Sequence, residues 1–201
     1  MIIYREQKIE NAIAYFASEY YRRKGYASTQ MWVYKFLALL DFRILKKTGT
    51  PCLGLDYSAM ERGPVPIQLY EEVNEKQAFV KGKVCFQSDV GRVYITNTEE
   101  PDLDFFSDAE LSEMDALLEE IAQPGMKIDD VIKKTHKEIR SWRIAWNRAQ
   151  DEHKNIMPMD YADEFHSIAE KPEEELSPEE ERFLCYKGML AKEREAAANS
   201  F

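Results

Sequence analysis

Apolar residues near the start of the chain recur at steps of three and four, the spacing that places side chains on one face of an α-helix. Over residues 5–24 this stripe consists of Ile9, Ala12, Ile13, Phe16 and Tyr20. Gly25 follows as a C-cap. A second helix is predicted from about Thr29 to Lys47, and its middle, "MWVYKFLALLDFRIL", is apolar on nearly every face. Such a helix is central and buried, and only Lys35 and Asp41 interrupt its apolar surface.

The segment "GPVP", residues 63–66, combines two prolines with the two residues that they restrict. Residues 50–63 before it are predicted to be loop. Gly63 and Val65 each precede a proline and are therefore expected to be extended, while Pro66 suits the first position of a helix. We predict a rigid, extended segment that leads into a helix from about Pro66 to Glu75.

Two expectations follow for the surroundings of this segment. The helix after it should turn Ile67, Tyr70 and Val73 toward the core. The prolines also leave backbone carbonyls without neighbouring N–H donors, and Arg62 is close enough in sequence to reach those carbonyls.

Residues 78–97 alternate between apolar and polar positions, which is typical of a β-hairpin. Val84 and Phe86 share one face of the first arm, and Val93 and Ile95 share one face of the second. The sequence "SDVG" between them is a turn signal. A lone hairpin needs packing support, so we expect this one to lie against the helices.

The C-terminal half is predicted to be helical, with an acidic interruption. Ser107 and Glu110 form a capping box for a helix that reaches about Ala122. Further helices are predicted at about residues 128–137, at about 140–150, and from Asp160 to about Ala169. After the acidic stretch "EKPEEELSPEEE", a last helix spans about residues 178–197. This helix either packs back on the core or binds a partner.

These elements predict a mainly α (α+β) fold, a bundle of about six to eight helices with one β-hairpin packed on it. The domain organisation is predicted to be a main domain over residues 1–170 and an acidic linker with a C-terminal helix over residues 171–201.

Charge is distributed unevenly along the 201 residues, whose net charge is −10. Residues 1–100 carry 14 Lys/Arg against 12 Asp/Glu, and the remainder carries 13 against 25, so all of the excess negative charge lies in the second half. This balance argues against a general nucleic-acid binder. The acidic half is either a solvated surface or a docking face for a basic protein partner.

Three cysteines without a CxxC spacing predict the reducing cytosol rather than a disulfide framework. The first twenty residues carry charges within their apolar periodicity, so we expect neither a signal peptide nor a membrane span there. The expected localisation is cytoplasmic.

Motifs of catalysis and metal binding are absent from the sequence. It contains no GxSxG, no phosphate-binding glycine motif and no HExxH, and His153 and His166 are too far apart for one helical turn. We therefore expect no catalytic residues, no metal and no cofactor. Asp41 and Lys35 are either satisfied locally or reach a shared polar pocket with Arg62 or His136.

His136 and Trp142 form a second polar–aromatic pair in "KKTHKEIRSWRIAWNRA". Such a pair either anchors a helix corner or marks a contact surface, since Trp is enriched among interface anchors.

The stretch "KFLALLDFRILKKTGTPCLGLDYSAMERGPVPIQLY", residues 35–70, resembles the Panacea domain, the SocA-like antitoxin domain of phage-associated proteins. The pattern is a Lys-Leu-Leu-Tyr-x-x-Asp helix, a loop, an aromatic-x-Ala, and then Gly-Pro-Val with a Tyr five residues later. The matching residues are Lys35, Phe36, Leu37, Asp41, Tyr57, Ala59, Gly63, Pro64, Val65 and Tyr70. Leu111–Ser112, Thr135–His136 and the segment from Trp142 to Ala145 are similar too, and the resemblance covers roughly residues 8–168.

The resemblance implies an antitoxin, not an enzyme, that neutralises a cognate protein toxin by direct binding. It leaves a AAA+ protease, to which the toxin would be delivered, open as a further partner. A second copy of the chain is a separate possible partner. No membrane and no direct nucleic-acid contact is expected. Alternatives are a phage- or prophage-associated enzyme using Asp41, His136 and Arg62, or a virion structural protein. The expected partner-binding residues are Arg62, Gly63, Pro64, Val65, Tyr70, His136 and Trp142.

Overall fold

The computed structural model describes residues 2–75 and 78–198, and seven α-helices dominate this part of the chain. The helices are α1 (Arg5–Lys24), α2 (Gln30–Thr48), α3 (Ile67–Asn74), α4 (Asp108–Ile121), α5 (Ile128–Glu138), α6 (Arg140–Asp151) and α7 (Pro178–Ala198). The predicted mainly α class and the predicted number of helices are confirmed. In this described part, no helix has the length and apolar character that crossing a bilayer requires.

The strands form two small antiparallel sheets rather than the one hairpin expected. They are β1 (Ser28–Thr29), β2 (Tyr57–Met60), β3 (Gly63–Pro66), β4 (Ala78–Lys81), β5 (Val84–Asp89), β6 (Arg92–Asn97) and β7 (Met157–Pro158). One sheet has the order β1-β6-β5-β4 and the other the order β3-β2-β7. The prediction of a single hairpin was therefore too simple.

Helix α2 is the centre of the molecule, as its apolar surface predicts. Residues 32–42 are all buried, including the two polar residues among them. Helices α1, α4, α5 and α7 pack around α2, and β3 lies against it. Where α1 meets α2, the rings of Phe16 and Phe36 stack with their centroids 4.7 Å apart. A helix enclosed on all sides holds its residues in fixed positions, and Lys35 and Asp41 are among them.

The four-stranded sheet contains the predicted hairpin, extended by a strand on each side. Strands β5 and β6 pair with Asp89 opposite Arg92, so the predicted turn is confirmed. The inward-facing Val84, Phe86 and Ile95 are buried. A second turn, which begins at Gly82 with φ of +54°, separates β4 from β5 and divides the predicted first arm in two.

The C-terminal elements follow the predicted order with one correction. Both hydrogen bonds of the Ser107–Glu110 capping box are present at the start of α4. Asp160 caps a short 3₁₀ helix, Tyr161–Glu164, and not a helix reaching Ala169. The helix ends because Phe165 is extended, with φ of −94° and ψ of 137°, and Ser167 beyond it has φ of +53°, so the helix does not resume there.

Helix α7 packs on the core of the protein. It begins with a second capping box, in which the Glu180 carboxylate accepts from the Ser177 backbone N–H at 2.9 Å and the Ser177 hydroxyl accepts from the Glu180 N–H at 3.2 Å. Phe183 and Tyr186 are buried, with 2% and 6% of their surface exposed. Of the two alternatives for this helix, the structure shows the packed arrangement.

Candidate functional site

The "GPVP" segment is strand β3, and we call it the elbow (Gly63–Pro66). It pairs with β2 across a turn of two exposed residues, Glu61 and Arg62. The prediction that residues 57–60 are loop was therefore wrong, and Pro66 is the N-cap of α3 rather than its first helical residue. Residues 57–60 contain no proline, but the strand they pair with contains two, and proline is uncommon within sheets, so the pairing was not recognised.

The strand pairing explains why this edge strand tolerates both prolines. In an antiparallel ladder, alternate residues direct their N–H and C=O groups toward the partner strand. The Ile67 N–H donates to the Asp56 carbonyl at 2.9 Å. Because the bonding positions alternate along the strand, Gly63 and Val65 also direct their backbone groups toward β2. Pro64 and Pro66 fall between them, so each missing N–H would have pointed to the outer edge. That edge consequently presents carbonyl acceptors at both prolines and no donor there.

Lys35 supplies the donor that this outer edge needs. Its Nζ donates to the Pro64 carbonyl oxygen at 3.0 Å, and the residue is fully buried on α2. The expected donor, Arg62, instead binds Asp129 Oδ1 at 2.9 Å on the surface. The segment does present a carbonyl that a side chain satisfies, but the donor is Lys35 of the central helix and not Arg62.

Burial dominates the electrostatics of Lys35. Removing the ammonium group from water disfavours its charge, and with the nearby Arg62 this lowers the pKa of Lys35 to about 7. A neutral amine still donates a hydrogen bond, so the contact to Pro64 survives deprotonation.

Gly63 permits this close approach. Its φ is +101°, and a Cβ atom added there would lie 2.8 Å from Lys35 Nζ and 3.0 Å from Thr135 Oγ1. The Thr135 hydroxyl is itself occupied, because it donates to the Ile132 carbonyl at 2.8 Å. Gly63 is therefore required both for its backbone conformation and for the absence of a side chain.

His136 and Trp142 form the wall opposite the elbow. Their rings stack almost parallel, with centroids 3.6 Å apart, and Trp142 Nε1 donates to the Met60 carbonyl at 3.0 Å. Burial, helped by Lys35, lowers the pKa of His136 to about 4. Its Nε2 has no hydrogen-bond partner among the described residues. The pair thus fixes the corner between α5 and α6 against β2.

The structure brings most of the predicted site residues together. Lys35 donates to Pro64 of the elbow and lies near His136, on which Trp142 stacks. The elbow and Trp142 are buried and His136 is half-buried, whereas Arg62 is exposed. Tyr70 lies on α3 and is half-buried. The predicted face of α3 was partly wrong, because the buried residues are Leu69 and Val73, four apart on the helix, while Ile67 and Tyr70 stay partly exposed.

Asp41, six residues after Lys35 on α2, organises a separate buried network. Its Oδ1 accepts from the backbone N–H groups of Leu53 at 2.5 Å and Gly54 at 3.2 Å, and its Oδ2 accepts from the Leu55 N–H at 3.2 Å. The hydroxyl groups of Tyr57 and Tyr161 lie 3.1 Å from Oδ2. Burial raises the pKa of Asp41 despite these donors.

This network gives Asp41 partners other than those that the enzyme alternative requires. His136 stacks on Trp142 and Arg62 pairs with Asp129, so the structure does not gather Asp41, His136 and Arg62 around one point. Sequence analysis missed Tyr161, because it lies 120 residues from Asp41 and no local pattern links them. Among residues 2–75 and 78–198, no group of three or more His, Cys, Asp or Glu side chains is arranged to hold a metal ion.

Comparison with known protein families identifies the family of this chain. The family model described as "Antitoxin SocA-like, Panacea domain" matches residues 33–143, which is more than half of the chain. The chain therefore belongs to the SocA-like antitoxin family with a Panacea domain. The matched segment is shorter than the predicted 8–168 and includes Lys35, Asp41, the elbow and Trp142. No curated protein and no solved structure gives a significant match.

Proposed function

We propose that this protein is an antitoxin that neutralises a protein toxin in the cytoplasm by binding it directly, without catalysing a reaction. The observation that carries the proposal is membership of the SocA-like antitoxin family over residues 33–143. Occlusion of the toxin's active surface would be the mechanism.

The elbow region supports this proposal because it is held rigid before any partner arrives. Lys35 fixes the outer edge of β3, and Trp142 fixes the α5–α6 corner to Met60. A surface that is already ordered loses less conformational entropy on binding, which favours tight association. The buried residues of the predicted site would act as this scaffold.

The contact itself would be made by the exposed rim of the site. The Arg62 side chain is 54% exposed, and its ion pair with Asp129 lies at the surface. Arginine is enriched among residues that dominate protein interfaces. Tyr70 and His136, both half-buried, would extend this rim.

Co-expression with the product of the neighbouring open reading frame tests the proposal. We expect the chain to restore growth to cells that express a toxic neighbour and to co-purify with it. Toxin half-life in the same cells separates occlusion, which leaves the toxin level unchanged, from delivery to a AAA+ protease, which shortens the half-life. The proposal would be refuted if the chain neither restored growth nor bound any cognate toxin.

A matched pair of variants locates the contact. Arg62→Ala should weaken toxin binding about 10-fold, the scale of an interface arginine. Arg182→Ala is the control, because Arg182 is similarly exposed, at 56%, and also forms a surface ion pair. Equal effects of the two substitutions would exclude the rim around Arg62.

A further inference from the structure

The turn between β5 and β6 has a residue that its backbone does not favour. Asp89 lies opposite Arg92, which leaves Val90 and Gly91 as a two-residue loop. Their φ values are +43° and +73°, so both adopt the left-handed conformation of a type I′ turn. Asn-Gly and Asp-Gly are the preferred sequences for this turn. A β-branched residue with positive φ is an outlier, because its side chain crowds the backbone.

Packing does not compensate for this conformation. Val90 is 94% exposed, the largest exposed fraction of any large hydrophobic residue in the described part of the chain. The turn before it, between β4 and β5, follows the usual rule and has Gly82 at its left-handed position. Val90 thus combines an unfavourable backbone with an unfavourable exposure of apolar surface. Such local conflicts concentrate at functional sites, where another requirement outweighs stability.

We propose that Val90 is a docking point for the toxin, inserted into an apolar pocket on that protein partner. This inference rests on the proposed function and adds a second contact to the rim at Arg62. The turn projects from the sheet, so it fits a concave partner surface. Asp89 and Arg92 flank it with opposite charges, which fits a pocket with a polar border of mixed sign.

The sheet holds the turn in place for this role. Phe86 and Ile95, opposite each other on β5 and β6, are each 1% exposed and anchor the hairpin in the core. An apolar side chain on a rigid support reaches a partner pocket with little loss of conformational freedom. The turn carries one acidic and one basic residue rather than a cluster of Lys and Arg, which disfavours an anionic lipid surface as the occupant.

Three substitutions at Val90 separate backbone strain from apolar contact. Val90→Asn suits the turn, so we expect Tm to rise by about 2–4 °C, while affinity for the toxin falls at least ~10-fold. Val90→Thr keeps the side-chain shape and the strain but adds a hydroxyl, so affinity should fall with Tm nearly unchanged. Val90→Ile keeps both the strain and the apolar surface, and its affinity should remain within about 3-fold of the unsubstituted chain.

Val80→Thr is the control, because Val80 is an exposed valine on β4 of the same sheet, at 62%. It should leave toxin binding unchanged. The probe is the product of the neighbouring open reading frame, used with the full chain in a titration and in growth rescue. Light scattering of the chain alone reports its oligomeric state.

Three outcomes would overturn the inference. If Val90→Asn stabilises the chain and binds the toxin as tightly as before, the turn is not a contact. If Val90→Asn only converts a dimer to a monomer, the occupant is a second copy and not the toxin. If the unsubstituted chain binds no toxin at all, the proposed function itself fails, and the docking point fails with it.

Discussion

Lys35→Met tests whether the buried amine has the protonation behaviour that its position implies. In the folded chain the pKa of Lys35 is lowered from 10.5 to about 7 by burial. Between these values the unfolded chain binds more protons than the folded one, so stability rises with pH. This contribution grows as pH rises through the folded pKa and is complete above the unfolded pKa. From about pH 7 to about pH 8.5, it amounts to about 1.5 kcal/mol of unfolding free energy.

The methionine variant keeps a side chain of similar length but has no proton to lose, so its stability should lack this rise. It also leaves the Pro64 carbonyl without its donor, which costs about 1–3 kcal/mol at every pH. The informative quantity is therefore the difference in slope between the two proteins and not their difference at one pH. His136 titrates below this window, because its folded pKa is about 4.

Urea unfolding followed by tryptophan fluorescence at several pH values measures these slopes. Lys133→Met is the control, since that lysine side chain is 78% exposed and should leave the slope unchanged. Identical slopes for the unsubstituted chain and Lys35→Met would refute the reasoning. If both variants lost the rise of unfolding free energy with pH, the effect would not be specific to Lys35.

Three further predictions concern the glycine of the elbow, the Asp41 network and the acidic tail. Gly63→Ala should destabilise the fold by about 3 kcal/mol in urea unfolding, against about 1 kcal/mol for Gly25→Ala. Gly25 also has positive φ but nothing within 4 Å of an added Cβ, so equal losses would contradict the close approach at Gly63. Asp41→Asn turns an amide N–H₂ toward backbone donors and should cost about 2–4 kcal/mol by the same assay; a loss below about 1 kcal/mol would be inconsistent with the network. Charge reversal of Glu173–Glu175, with the capping Glu180 left intact, should slow toxin association several-fold at low salt and less at high salt in stopped-flow measurements. An unchanged association rate would remove these acidic residues from the mechanism.

The helices were accessible to sequence analysis because local rules determine them. The stripe of α1 and the apolar surface of α2 appear at fixed spacings, and a capping box needs only a serine and a glutamate three residues apart, such as Ser107 and Glu110. The β5–β6 turn was found because alternating strands flank it. In each case, the interaction that fixes the element lies within a few residues of sequence.

The features that were missed depend on distant partners. Strand β2 pairs on one side with β3 and on the other with β7, about 100 residues away in sequence, so its own four residues gave no sufficient signal. The role of Lys35 also depends on contact with Pro64, 29 residues away. The sequence showed that the elbow needs a donor, but only the fold identified the lysine that provides it.

Helices α1 and α7 pack on α2, and Tyr161 bonds Asp41, yet all three lie outside the segment that matches the family. The matched segment is therefore smaller than the unit that folds. A fragment cut at residues 33 and 143 would uncover two flanks of the central helix and remove the tyrosine hydroxyl next to Asp41. Such a fragment should aggregate when expressed. Experiments on this protein should therefore retain residues on both sides of the matched segment, even where only that segment is of interest.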